Sequence, residues 1–125
     1  MKTEKRKNQR FEDMGKVEAL DLCPFPGVFV DVSKVGCRVR FPTSFLANTD
    51  FEYEMKISPV RFNCYESFLI IVRPIWQKNT DDSTEIGFSV LHSPDLRKFD
   101  SYVEKLIEEK HEIESEQELL DGIDL

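Results

Sequence analysis

Histidine, cysteine and glycine are all sparse in this chain, and each shortage closes off a class of function. The two histidines, His92 and His111, have no cysteine, serine or paired carboxylate at a spacing that would make a nucleophile–base couple. Three isolated cysteines, Cys23, Cys37 and Cys64, form no C-x-x-C pair. Their odd number and their spacing speak against a disulfide framework and against a zinc site, so they read as small buried hydrophobes in a reducing compartment. The five glycines build neither a Walker-type loop nor a G-x-G-x-x-G turn. No catalytic residue, no metal and no cofactor is therefore expected, and the chain does not read as an enzyme. The longest apolar run, residues 68–72, falls far short of the roughly 18 residues that a membrane span needs. The charged N-terminus has no apolar stretch behind it, so a secretory signal is not expected. The cytoplasm is the expected location, without membrane insertion.

Cations are in the minority, with 17 Lys and Arg against 24 Asp and Glu, a formal net charge of -7. Long nucleic acid is a poor partner for such a chain, because neutralised phosphates supply most of that affinity. The charges are unevenly placed, however. The opening "EKRKNQRFEDMG" concentrates Lys5, Arg6, Lys7 and Arg10, whereas the chain from Phe99 onward is dominated by Glu and Asp. A cationic patch on an acidic protein is either a solvated tail or half of a site for a small anion.

At 125 residues the chain fits one domain, large enough to bury about two-thirds of the surface its unfolded form exposes. Short strands are expected over residues 16–23, 27–33, 35–41, 51–57, 67–75 and 83–91: 35–41 and 51–57 alternate with period two, 27–33 is rich in β-branched residues, and 67–75 is a near-continuous apolar run. In the fourth of these, Phe51, Tyr53, Met55 and Ile57 form the inward face. Breakers fall at residues 24–27, 42–44 and 78–82, and Pro74 is expected to close the fifth strand. The period then changes. Ser93 reads as an N-cap with Pro94 at the first helical position and Asp95 in the first turn. Leu96, Phe99, Val103, Leu106 and Ile107, with Tyr102 beside them, recur at helical spacing. The expected architecture is mainly β: an antiparallel barrel of five or six short strands with a C-terminal α-helix. Its expected organisation is one domain over residues 1–113, with a basic segment at 1–15, the barrel at 16–92 and the helix at 93–113. Residues 114–125 then form an acidic, frayed tail.

Two short motifs carry the chemistry. Arg6 and Arg10 form R-x-x-x-R, followed at once by Phe11. Guanidinium groups are planar forks that meet phosphate oxygens or the O6/N7 edge of guanine with paired hydrogen bonds. Asp31, Ser33 and Gly36 form D-x-S-x-x-G at the corner between the second and third strands. Such residues are also ordinary hairpin components, because Asp and Ser cap their own backbone and Gly tolerates positive φ. A carboxylate there would suit the N1–H and N2–H₂ donors of guanine, a hydroxyl can reach phosphate or base, and a glycine lets a ligand approach the backbone.

Taken together, "RKNQRF" before the first strand, "DVSKVG" at that corner and "EIGFSVL" with Gly87 and Phe88 in the closing strand resemble the PilZ domain family. The resemblance spans the chain from about Lys5 to Lys110. Val35 stands where many members carry a second glycine. What the resemblance implies is a bacterial six-stranded PilZ-type barrel that binds the second messenger cyclic di-GMP, with Arg6, Arg10, Asp31, Ser33 and Gly36 as the ligand-binding set. The implied function is that of a cyclic di-GMP receptor whose N-terminal segment folds across the ligand and signals to an unidentified downstream protein. A monomer or a ligand-dependent dimer is expected. The alternative is a PilZ-like protein–protein adaptor that does not bind cyclic di-GMP. A third reading, a barrel binding single-stranded nucleic acid through Phe29, Phe41, Phe51 and Tyr53, is opposed by the net charge and by the strand spacing of these rings.

Overall fold

Alternating β-branched and polar residues need a second surface to bury one face, and here six strands find it by curling into a ring. The computed structural model describes residues 15–59 and 66–108. Its strands are β1 (Gly15–Glu18), β2 (Val28–Val32), β3 (Gly36–Phe41), β4 (Tyr53–Pro59), β5 (Phe68–Asn79) and β6 (Thr84–Leu91). All pairings are antiparallel, in the order β1-β4-β5-β6-β3-β2. The two ends of that order meet where Val17 and Gly27 exchange backbone hydrogen bonds of 3.0 and 2.7 Å. This bridge closes the sheet into the antiparallel barrel that the sequence pattern predicts, with six strands among the described residues. One helix, α1, follows over residues 96–108.

The interior is filled by the inward residues of every strand: Val17, Phe29, Val39, Phe41, Met55, Ile57, Ile70, Val72 and Ile86 are fully buried. Burying a side chain of this size contributes about 1.5–3 kcal/mol, so the barrel needs no cross-link. Cys23 and Cys37 are buried free thiols, and Cys64 lies outside the described residues. The helix turns Phe99, Tyr102, Val103 and Leu106 inward, while Ile107 faces solvent. Tyr102 stacks at a tilt on Phe29 of β2 and edge-on against Phe68 of β5, with ring centroids 6.4 and 5.6 Å apart. In the ring order, β2 and β5 stand on opposite sides. The helix therefore lies across the mouth of the barrel and plugs it.

Several boundaries differ from the sequence reading. The first strand ends at Glu18, because the amides of Leu22 and Cys23 both bond back to the carbonyl of Ala19 and turn the chain. The fourth begins at Tyr53, leaving Phe51 exposed rather than inward. Pro74 does not end β5, which runs on to Asn79. The ladder with β4 stops at Val72, and the register with β6 shifts between Pro74 and Trp76. A residue without an N–H is tolerated at such a place.

Ser93 and Asp95 also do something other than cap the helix. The Ile71 amide donates to Ser93 Oγ at 2.8 Å and the Leu69 amide to Asp95 Oδ2 at 2.9 Å. Ser93 Oγ in turn donates to the Leu91 carbonyl at 2.7 Å. Since β6 ends opposite Ile71, these two side chains occupy the places that a longer β6 would fill. They tie the start of α1 to the barrel wall.

The loop between β3 and β4 is held by a buried hydroxyl. Thr84 Oγ1 donates to the Thr43 carbonyl at 2.8 Å and accepts from the Phe45 amide at 3.0 Å. It also accepts from Asn79 Nδ2 at 3.1 Å. Replacing Thr84 by Val keeps the shape and deprives three partly buried groups of their partner, so Thr84→Val should lower unfolding free energy by about 1–3 kcal/mol. Chemical denaturation checks this: the midpoint should fall with an unchanged slope.

Candidate functional site

The register of four adjacent strands lines up one transverse row on the outer face of the barrel. Asp31 of β2 pairs with Arg38 of β3, Arg38 with Gly87 of β6, and Gly87 with Trp76 of β5. In both outer strands of this row the register shifts just before the row residue, between Phe29 and Asp31 in β2 and between Pro74 and Trp76 in β5. Such a bulge re-aims the side chains that follow it. Phe29 accordingly points into the core while Asp31 points out, and Ile75 and Trp76 are both exposed. A groove of about 320 Å³ runs along the row, bounded by Asp31, Ser33, Gly36, Arg38, Ile75 and Trp76.

Gly87 makes the groove possible. A Cβ at that position would collide with Nε1 and Cε2 of the Trp76 indole, so the ring lies directly against the strand where the side chain is missing. The indole is half-exposed and forms part of the groove wall. The other end of the row is polar. Asp31 Oδ1 accepts the amide of Val32 at 2.9 Å, which orients the carboxylate and leaves Oδ2 without a donor among the described residues. Arg38 Nε lies 3.3 Å from Glu85 Oε1, an ion pair that steers the guanidinium along the sheet. Beneath the groove is the Cys37 thiol. Burial, with a smaller contribution from the Asp31 charge, pushes it up to about 12, so it stays a neutral thiol at physiological pH and offers no nucleophile.

The corner itself is a tight turn held from Ser33. Its amide donates to the Gly36 carbonyl at 2.8 Å, and its hydroxyl accepts the Gly36 amide at 3.2 Å. Gly36 is not here for a left-handed backbone, since its φ is not positive. Its missing side chain instead matters because a Cβ would come within 2.9 Å of the Phe88 carbonyl. At the tip, Lys34 Nζ donates to Glu104 of α1 at 2.6 Å, and that bond raises the lysine pKa. The turn is thereby tied to the helix.

Three of the five residues singled out from the sequence, Asp31, Ser33 and Gly36, thus line one groove. Arg6 and Arg10 lie outside the described residues. Arg38 and Trp76 were not anticipated. The signal that could have found Trp76 is Gly87 itself, because a lone glycine inside a strand marks a close approach by a neighbour.

No protein-family model and no curated protein matches the chain. Among solved structures it is similar to the crystal structure of the Borreliella burgdorferi PlzA protein in complex with c-di-GMP. The TM-score is 0.49 at 12% identity, over 88% of this chain and 48% of that one. This chain therefore spans about half the length of that protein. A likeness of this degree carries no argument about the groove, whose chemistry rests on the geometry described above.

Trp76 is the single tryptophan of the chain, so its seat on Gly87 can be read optically. Gly87→Ala should lift the indole off the strand, shifting native emission to longer wavelength and raising its accessibility to acrylamide. The barrel's circular dichroism should be retained. Unchanged emission and quenching would mean that the indole does not need the glycine.

Proposed function

We propose that this chain is a receptor for cyclic di-GMP with no catalytic role, and that the outer-face row of Asp31, Arg38, Gly87 and Trp76 carries one end of the ligand. The observation on which this rests is the row's order: a hydrogen-bond acceptor at one end, a cation beside it, and a flat aromatic surface at the other. The acceptor-only carboxylate of Asp31 suits the N1–H and N2–H₂ donors of guanine and not the edge of adenine, where an acceptor would face N1. An indole face is a surface on which a base can stack, worth about 1–3 kcal/mol per base in single-strand binders. Ser33 and Gly36 line the same groove and would admit the sugar–phosphate ring close to the backbone.

The groove lacks enough positive charge for a ligand with two phosphates. Its own cation, Arg38, is already paired with Glu85, and the chain as a whole is acidic. Arg6 and Arg10 supply what is missing in this reading. Chain direction favours it: β1 and β2 are antiparallel, and the Val17–Gly27 bridge places the start of β1 toward the end of β2 that leads to Asp31 and Ser33. Arg10 lies five positions before Gly15, a reach of up to about 17 Å. The basic segment then orders across the ligand, and the altered surface is what a downstream protein recognises.

Titration with cyclic di-GMP tests the proposal, followed by calorimetry and by Trp76 emission. Binding should perturb the indole, and Arg10→Ala should weaken it about ten- to a hundredfold, the equivalent of one charge-assisted interaction of about 1.5–3 kcal/mol. Asp31→Ala should narrow the preference over cyclic di-AMP. If Arg6→Ala with Arg10→Ala binds as tightly as the parent, the arginines have no place in the site. No binding at all would leave the adaptor reading in its stead.

A further inference from the structure

On the other side of α1 lies a second groove, between the helix and the start of β5, with about 300 Å³ of space. Its floor is aromatic, formed by Phe68 and Tyr102, and its rim is Glu66, Arg97, Lys98, Ser101 and Lys105. Phe68 of β5 and Tyr102 of α1 pack on each other and are nearly buried, so the groove is a shallow notch above a fixed surface. Its volume is at the small end for a ligand cavity, which suits one large side chain better than a cofactor. Three cations stand on this rim against one acid. Lys98 is paired with Glu66 at 3.2 Å, whereas Arg97 and Lys105 meet no acceptor among the described residues. The rim residues thus carry a net charge of +2, on a chain whose net charge is -7.

We infer that this groove is a docking site for an acidic segment of a partner protein, which inserts one aromatic or large aliphatic side chain over Phe68 and Tyr102. Charge complementarity selects the partner's sign and the apolar floor selects its anchor. Spacing adds a further constraint. Arg97 and Lys105 are eight residues apart on one helix, about 12 Å along its axis. An extended peptide covers that distance in about four residues. The fitting pattern is therefore an acid, the apolar anchor two residues later, and a second acid two residues after that. Such an arrangement, a desolvated anchor ringed by charged contacts, is how small interfaces concentrate their affinity. The site is separate from the nucleotide groove, and the inference does not depend on it.

The probe is a fluorescein-labelled heptapeptide with glutamates at its second and sixth positions, phenylalanine at its fourth and alanine elsewhere, titrated with the full chain and read by anisotropy. Saturable binding below about 1 mM is expected. Replacing the probe's phenylalanine by serine should weaken binding about tenfold, and so should Arg97→Glu with Lys105→Glu in the protein. The probe-side change leaves the protein untouched, so the anchor is tested even if the double variant folds poorly. Three results would overturn the inference: no saturation, equal binding of the phenylalanine and serine probes, or indifference to the charge reversal in a folded variant. Self-association of the chain that the same reversal abolishes would also do so, by assigning the groove to a second copy.

Discussion

Everything on the outside of this barrel depends on how its mouth is closed, and Tyr102 closes it. A ring of six short strands leaves an open end through which water would reach Phe29 and Phe68. The tyrosine touches both from strands on opposite sides of the ring, and Phe99 meets Phe68 edge-on at 6.3 Å. The helix can hold these rings in place because its first turn is fastened to the barrel by Ser93 and Asp95. A short helix with no such tether would gain little from a stripe of four buried side chains, since isolated helices of this length are marginal in water. Here the stripe and the tether act on the same few residues.

The plug also connects regions that the sequence keeps far apart. One edge of the helix meets the β2–β3 turn through Glu104 and Lys34, while the other edge borders the groove lined by Arg97 and Lys105. Surface ion pairs such as Lys34–Glu104 contribute at most about 1 kcal/mol, so the contact fixes the turn's position more than it stabilises the fold. The row from Asp31 to Trp76 is precise for a different reason. Its members sit on paired strands, whose register sets their spacing, and two bulges aim the end residues outward. Strands hold such a constellation more firmly than loops do.

Period-two alternation in residues 36–41 and 53–57 was enough to place those strands and their inward faces, because each side of the sheet meets a uniform environment. The helical stripe at Leu96, Phe99, Val103 and Leu106 was legible on the same principle. Asp31, Ser33 and Gly36 could be gathered from the sequence since they are neighbours in one turn. Arg38 and Trp76 are harder to gather, because they reach Asp31 only by pairing across up to three ladders and by a bulge after Pro74; Gly87 is the one local trace of that packing. Ser93 and Asp95 misled for a related reason. The residues that cap a helix are also the ones that can accept a strand's amides, and only the length of β6 decides between the two uses.

That choice has a consequence for how the protein behaves among its own copies. At twelve residues, β5 is longer than either neighbour, and it outruns β6 at its start and β4 at its end. Unpaired strand backbone is a template on which another chain can build. At the start of β5, Asp95 and Ser93 take up the amides of Leu69 and Ile71. At its far end Gln77 and Asn79 reach out to the Phe45 carbonyl, and Gln77 also accepts the Ala47 amide, which draws the β3–β4 loop over the strand. The side chains that shape the barrel's two ends thus also deny its longest strand to an incoming one, a safeguard against edge-to-edge aggregation built from four polar residues.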